Sequence, residues 1–159
     1  MITKKKYKPR GILKTTSGEN KFTENLFLPS DDVAFFVEHF WAVQWNLPGG
    51  KPFTAETLPH PCVHIVFEKD SATVVGVVKG KFTRSLTGKG KVLGIKFRPG
   101  AFYPFVNRPI SEFTNRVLPL ENVLGKETAG LHKKILAHSS PRNGSPCGTI
   151  FTRATAAAG

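Results

Sequence analysis

Apolar and polar residues alternate in short runs between residues 35 and 98, and Gly, Pro or Asp residues separate the runs. An apolar residue at every second position is typical of a β-strand with one buried face. The pattern predicts six strands, over residues 35–45, 53–58, 62–67, 73–78, 81–86 and 91–97. Because the sequence Gly88-Lys89-Gly90 favours a tight turn, we expect the last two strands to form a hairpin.

The alternation also predicts which side chains are buried. In the first strand it places on one face Val37, His39, Trp41, Val43 and Trp45. In the last strand it turns Leu93, Ile95 and Phe97 toward the core. It turns Lys96 and Arg98 toward water. The predicted core therefore includes Trp41, Ile65, Phe67, Ile95 and Phe97.

After Pro99 the alternation gives way to short helical patterns, over residues 100–106, 111–114, 119–124 and 127–137. A further short helix is predicted over residues 33–36, with Ser30 or Asp31 as its cap. The sequence thus predicts an α+β fold that is mainly antiparallel β, an open barrel or sandwich followed by short C-terminal helices. We expect residues 1–30 to be a basic polar arm, residues 31–137 the β-rich domain, and residues 138–159 a disordered tail.

The composition is that of one globular domain. The chain has 159 residues, of which 40% are hydrophobic and 21% are charged. No run approaches the ~18 apolar residues of a transmembrane helix, and the first residues carry no apolar signal segment. Cys62 and Cys147 lie far apart and do not form a disulfide framework. We therefore expect a cytoplasmic protein without membrane contact.

The net charge of +12 is concentrated in two segments. Residues 1–14 and residues 71–111 contain Lys and Arg but no Asp or Glu. Such segments suit polyanions, although they are also typical of a solvated sheet face. The residues expected to contact nucleic acid, weakly and without sequence preference, are Lys4, Lys5, Lys6, Lys89 and Lys91.

Candidate metal ligands lie on and just before the strand over residues 62–67. By alternation, His60, Cys62, His64 and Glu68 share one face, and such side chains bind transition metals. Because residues i and i+4 of a strand lie ~13 Å apart, His60 and His64 do not converge on one ion unless Pro61 bends the chain. We predict no metal site. The sequence also lacks nucleophile and phosphate-binding motifs, so we expect neither enzymatic activity nor a cofactor.

Aromatic residues offer a surface for a small molecule. Trp41 and Trp45 share a predicted strand face, where they would form the floor of a cavity. The predicted ligand pocket comprises Trp41, Trp45, His60, His64 and Arg98.

Several strings along the chain share the pattern of a known family. They are Tyr7-Lys8-Pro9, residues 36–41 (Phe-Val-Glu-His-Phe-Trp), residues 56–68, residues 76–84, residues 94–102 (Gly-Ile-Lys-Phe-Arg-Pro-Gly-Ala-Phe) and residues 114–120. Over residues 7–137 they resemble the uncharacterised N-terminal domain of AraC/XylS-type bacterial transcriptional regulators. The resemblance implies a cupin-like sensing or dimerising domain, with a small-molecule effector and a second copy of the chain as partners. It also implies a following helical linker and two helix-turn-helix units.

The chain departs from this family pattern after Ala137, since no recognition-helix pattern follows up to Gly159. We therefore expect a truncated or frame-shifted regulator without its DNA-binding half, which binds DNA only weakly and nonspecifically. Two alternatives stay open. One is a stand-alone cupin-like metal binder or enzyme that uses His60 and His64, and the other is a basic nucleic-acid-binding module.

Overall fold

The structure, a computed structural model, describes residues 22–138, and its elements follow one another as short strands and then short helices. The strands are β1 (Phe22–Phe27), β2 (Val37–Asn46), β3 (Phe53–Thr57), β4 (His64–Glu68), β5 (Ser71–Val75), β6 (Phe82–Leu86), β7 (Lys89–Phe97) and β8 (Val117–Pro119). The helices are α1 (Tyr103–Val106), α2 (Leu120–Leu124) and α3 (Leu131–His138), with 3₁₀ turns at Ile110–Phe113 and Lys126–Thr128.

The strands form a six-stranded sheet of order β1-β2-β7-β4-β5-β8 and a two-stranded sheet of β3 and β6. All pairs are antiparallel. Among the described residues no strand pairing joins the two sheets, so the strands do not close into a barrel. The predicted α+β fold, mainly antiparallel and with its helices late in the chain, is confirmed. None of the helices within residues 22–138 has the length and apolar character needed to cross a membrane.

The main core lies between one face of the six-stranded sheet and the helices. Ile65 of β4 lies opposite Ile95 of β7, which in turn lies opposite Phe40 of β2, so these side chains share that face. The ring of Phe97 is buried 4.9 Å from the ring of Phe102, just before α1. The helical side supplies Phe102, Phe105, Phe113, Leu120, Leu131 and Ile135. The core predicted at Ile65, Phe67, Ile95 and Phe97 is confirmed.

A β-bulge near the start of β2 changes which residues face the core. Val37 pairs with Phe97, but His39 pairs with Lys96, so Glu38 is an extra residue in the strand. Val37 is fully buried in the core, and beyond the bulge Phe40 and Ala42 point the same way. His39 and Trp41 therefore point to the opposite face. The predicted burial of Trp41 with the core is wrong, because alternation alone does not foresee the bulge.

The two-stranded sheet lies over this opposite face. Arg84 of β6 forms a salt bridge with Glu68 of β4, and the ring of Phe53 in β3 lies 4.7 Å from that of Phe22 in β1. Leu86 of β6 is buried although it does not belong to the main core. The six-stranded sheet is thus covered on both faces, by helices on one side and by β3 and β6 on the other.

The predicted hairpin between β6 and β7 is wrong. Strand β6 pairs with β3, whereas both edges of β7 are occupied, by β2 and β4. The turn between them is fastened to β2 instead, because the Leu47 N–H donates to Gly88 O at 2.7 Å and Trp45 Nε1 donates to Thr87 O at 3.1 Å. The chain therefore passes from one sheet to the other at this turn.

The predicted start of the domain at residue 31 is also wrong, because the fold includes β1. Phe22 lies opposite Trp45 and Phe27 lies opposite Phe40, so aromatic residues hold β1 against β2. The helix predicted over residues 33–36 is replaced by hydrogen-bonded turns that begin at Ser30 O. The predicted arm before β1 and the predicted tail after residue 138 lie outside the described residues.

Candidate functional site

Polar and aromatic side chains gather on the face of the six-stranded sheet that is opposite the main core. Lys96 of β7 lies between His39 on β2 and His64 on β4, because it is the cross-strand partner of both. Directly opposed side chains of this kind have Cβ atoms ~5 Å apart. We call the group around this lysine the Lys96 cluster: Glu38, His39, Trp41, His60, His64 and Lys96.

Lys96 is a largely buried lysine, since its side chain is only 12% exposed. Its Nζ lies 3.2 Å from Glu38 Oε2 and 3.3 Å from Glu38 Oε1. The carboxylate thus offsets part of the desolvation of the ammonium group. Because Glu38 is the extra residue of the bulge, the bulge places this carboxylate next to Lys96. The prediction that Lys96 faces water is wrong, since β3 and β6 cover its side of the sheet.

The three histidines of the cluster are uncharged at neutral pH. Burial lowers the pKa of His64 from 6.5 to about 4, and the positive charge of Lys96 adds to this effect. Burial and Lys96 also lower the pKa of His39 and of His60, although the Glu38 carboxylate opposes both shifts. A neutral imidazole offers one hydrogen-bond donor and one acceptor. The cluster therefore offers hydrogen-bond donors and acceptors next to the ion pair of Lys96 and Glu38.

Trp41 supplies the apolar part of the cluster. Its cross-strand partner is Gly94 of β7, and a Cβ at position 94 would overlap the indole ring. The indole therefore lies flat against the β7 backbone, a close approach that needs glycine. The centroid of the ring is 6.3 Å from that of His64. Trp41 thus forms a fixed apolar wall next to the imidazoles.

The loop between β3 and β4 completes this region with His60 and Cys62. Cys62 is buried, and burial raises the pKa of its thiol, so it is protonated at neutral pH and serves as a packing residue. Within residues 22–138, no three His, Cys, Asp or Glu side chains are arranged to hold one metal ion.

The structure brings together only part of the predicted ligand pocket. Trp41, His60 and His64 belong to the Lys96 cluster, as described above. Trp45 lies on the same sheet face but at its far end, where its indole rests against Gly90. Arg98 lies apart from the Lys96 cluster: this residue is exposed, and its Nε donates to Ala34 O at 2.7 Å in the turn before β2.

Sequence reasoning missed the three residues that give the cluster its ionic character and much of its polarity. The alternation predicts that Lys96 faces solvent, and the predicted ligand pocket includes neither Glu38 nor His39. One signal for His39 was available, since it shares the alternation of Trp41 in the same strand. The position of Glu38 depends on the bulge and has no sequence signal of its own.

A concave region, the basic groove, lies at the Trp45 end of the sheet. It has a volume of about 700 Å³ and is lined by Thr23, Gln44, Trp45, Asn46, Lys69, Lys89, Gly90, Lys91, Lys133 and Leu136. The groove contains two residues predicted to contact nucleic acid, Lys89 and Lys91. Their contact with nucleic acid stays a prediction. The other three, Lys4, Lys5 and Lys6, lie outside the described residues.

Comparison with known protein families gives a match over most of the strand region. The profile of a family described as a domain of unknown function, DUF6597, matches residues 25–119, which run from β1 to the end of β8. Searches of the curated proteins and of the solved structures found no significant match. The matched segment contains the whole Lys96 cluster and makes up more than half of the chain. The chain therefore belongs to the DUF6597 family, whose domain has no known function.

Proposed function

We propose that this domain is the effector-sensing domain of an AraC/XylS-type transcriptional regulator, and that a small-molecule effector binds at the Lys96 cluster. The observation that carries the proposal is the convergence of Trp41, His64 and Lys96 on one covered sheet face. A largely buried lysine is not needed for stability, because well-packed apolar residues often replace a buried charge and its partner without loss. Buried charge beside polar and aromatic side chains is instead typical of binding sites.

The regulatory part of the proposal is supported by the resemblance of residues 7–137 to the N-terminal domains of those regulators. The same proposal includes a cytoplasmic location, a cupin-like arrangement of the strands and self-association into a homodimer. The role is one of binding rather than catalysis. Specific DNA recognition is a property of the helix-turn-helix units of such regulators, and the proposal does not assign it to residues 22–138.

The chemistry of the cluster defines the class of effector. The ammonium group of Lys96 binds a carboxylate or an electron-rich oxygen, and the neutral imidazoles of His39 and His64 exchange hydrogen bonds with hydroxyl groups. The indole of Trp41 covers an apolar ring face. We therefore expect a small polar molecule with hydroxyl or carboxylate groups on one side and an apolar face on the other.

A thermal-shift screen of sugars, sugar acids and aromatic carboxylic acids tests the proposal, followed by calorimetric titration of each hit. Lys96→Met should weaken the binding of a true effector about tenfold or more, the loss of one charge-assisted hydrogen bond. The matched control is Lys126→Met, an exposed lysine outside the cluster, which should leave the affinity unchanged. Hits that bind Lys96→Met and the wild-type chain equally well would show that the cluster is not the effector site.

A further inference from the structure

The charges of the Lys96 cluster balance one another before any effector binds. The carboxylate of Glu38 lies 3.2 Å from the ammonium nitrogen of Lys96 at its nearer oxygen. The three imidazoles are uncharged at neutral pH, because burial and the positive charge of Lys96 lower their pKa values. An effector that carries a carboxylate therefore finds Lys96 already paired, and two carboxylates at one ammonium group repel each other. Such an effector binds strongly only if Glu38 gives up its place.

The two members of this ion pair differ in their exposure to water. The side chain of Glu38 is 40% exposed, whereas that of Lys96 is 12% exposed. When the pair separates, the Glu38 carboxylate can turn into water, but the ammonium group of Lys96 stays within the protein and needs another partner. A carboxylate brought by an effector meets that need and occupies the space that the Glu38 carboxylate leaves. The exchange therefore requires no separate cavity for the anionic group.

The backbone at Glu38 suits such a movement. Glu38 is the extra residue of the β-bulge, so the register of β2 and β7, both described along their full length, leaves it without a cross-strand partner. On one side of it Val37 is fully buried in the core, and on the other side His39 is paired with Lys96. The side chain of Glu38 can thus change its contacts without a change in the register of the sheet.

We propose that Glu38 is a displaceable internal ligand of Lys96, and that the carboxylate of an effector takes its place on binding. The proposal rests on the function proposed above, and it narrows the effector to molecules that carry a carboxylate beside the apolar face that Trp41 covers. Neutral molecules of the same shape do not displace Glu38, because hydrogen bonds between two charged groups are stronger than those to an uncharged group. Glu38 therefore makes the site selective for an anion.

A matched pair of probes, benzoate and its neutral isostere benzamide, tests the exchange. Each is titrated into the full chain carrying Trp45→Phe, in which Trp41 is the remaining tryptophan, and the quenching of its fluorescence is measured. Glu38→Gln removes the competing charge, so it should strengthen the binding of benzoate about tenfold, the value of one charge-assisted hydrogen bond. It should leave the binding of benzamide unchanged. The matched control is Glu56→Gln, which removes a carboxylate paired with Lys81 and should change the binding of neither probe.

A second measurement needs no substitution at Glu38. In the chain of natural sequence, saturating benzoate should shift the NMR resonance of the Glu38 carboxyl carbon toward that of a glutamate in water. Benzamide should leave this resonance in place. Circular dichroism verifies that the variants used in the titrations are folded, and the NMR measurement decides the exchange if Glu38→Gln is not.

The outcomes separate the exchange from the proposed function. Weaker binding of benzoate to Lys96→Met, together with equal or weaker binding to Glu38→Gln, would keep the effector site and overturn the exchange. Equal gains for benzoate and benzamide in Glu38→Gln would reduce its effect to added space and overturn the exchange as well. The same holds if benzoate fails to bind even Glu38→Gln, since Lys96 would then be released and still take no carboxylate. Benzoate that binds Lys96→Met as tightly as the parent chain would instead refute the cluster as its site.

Discussion

The contact between Trp41 and Gly94 makes a quantitative prediction about Gly94→Ala. The added Cβ would overlap the indole ring, whose centroid lies 6.3 Å from that of His64 in an edge-on contact. Overpacking of this kind costs about 1–3 kcal/mol. Alanine regains about 0.5–1 kcal/mol through its smaller loss of backbone entropy. The free energy of unfolding should therefore fall by about 1–2 kcal/mol, taking the two values together.

The same substitution should behave differently when the indole is absent. In a Trp41→Val background, which keeps a β-favouring side chain, Gly94→Ala should be neutral or stabilise by up to about 1 kcal/mol. The coupling between the two positions is then about 2 kcal/mol, within the range for residues in contact. Urea denaturation of the four chains of this double-mutant cycle measures it.

Gly80 provides a matched control for this cycle. A Cβ at Gly80 would meet nothing within 4 Å, so Gly80→Ala should change the stability by less than about 0.5 kcal/mol in either background. If Gly94→Ala costs the same with and without Trp41, the indole does not lie on the β7 backbone. The wall that we assign to the Lys96 cluster would then be absent.

Three other predictions concern the core, the histidines and DNA. Phe97→Ala should lower the free energy of unfolding by about 3–5 kcal/mol, whereas Phe35→Ala, at a residue 77% exposed, should change the urea midpoint little. The pKa of His64 is lowered from 6.5 to about 4, so the unfolded chain takes up this proton first as the pH falls. The contribution of neutral His64 to stability should be complete above about pH 6.5 and decline toward pH 4, and His64→Gln should flatten that decline in urea midpoints measured across this range. In gel-shift competition the full chain should bind promoter and random duplexes alike, with dissociation constants of ~10⁻⁴–10⁻⁶ M at physiological salt, and a preference above ~10³-fold would reveal a base-reading element.

The strands of the domain were predictable because alternation survives wherever one face of a strand meets the core. Ile95 and Phe97 illustrate this, because they lie two positions apart in β7 and both are buried against the helices. β1 escaped prediction because its sequence Phe-Thr-Glu-Asn-Leu-Phe has polar residues in three of its central positions. The aromatic residues at its ends, Phe22 and Phe27, indicate a strand only once their pairing with Trp45 and Phe40 is known.

The candidate site was harder to predict because it depends on long-range pairing. Alternation gives the side of a strand on which a residue lies, but it does not reveal whether a second sheet covers that side. Alternation therefore predicts that Lys96 faces solvent, although its side chain is largely buried. The turn sequence Gly88-Lys89-Gly90 correctly marked a reversal, yet it did not specify which strand β6 would join. The bulge at Glu38 depends on the register between β2 and β7, two strands distant in sequence.

The central position of β7 has a consequence for how the protein is made. Strands β1 and β2 form one local hairpin and β4 and β5 form another, and among the strands within residues 22–138 only β7 joins them. β7 follows both hairpins in the chain. During synthesis the two halves of the sheet therefore cannot be joined until β7 has left the ribosome. Until then the inner edges of β2 and β4 are unpaired, and such edges are prone to aggregation. We expect the insertion of β7 to be the slow step of folding, since it closes long loops, and the nascent chain to need chaperone protection until that strand emerges.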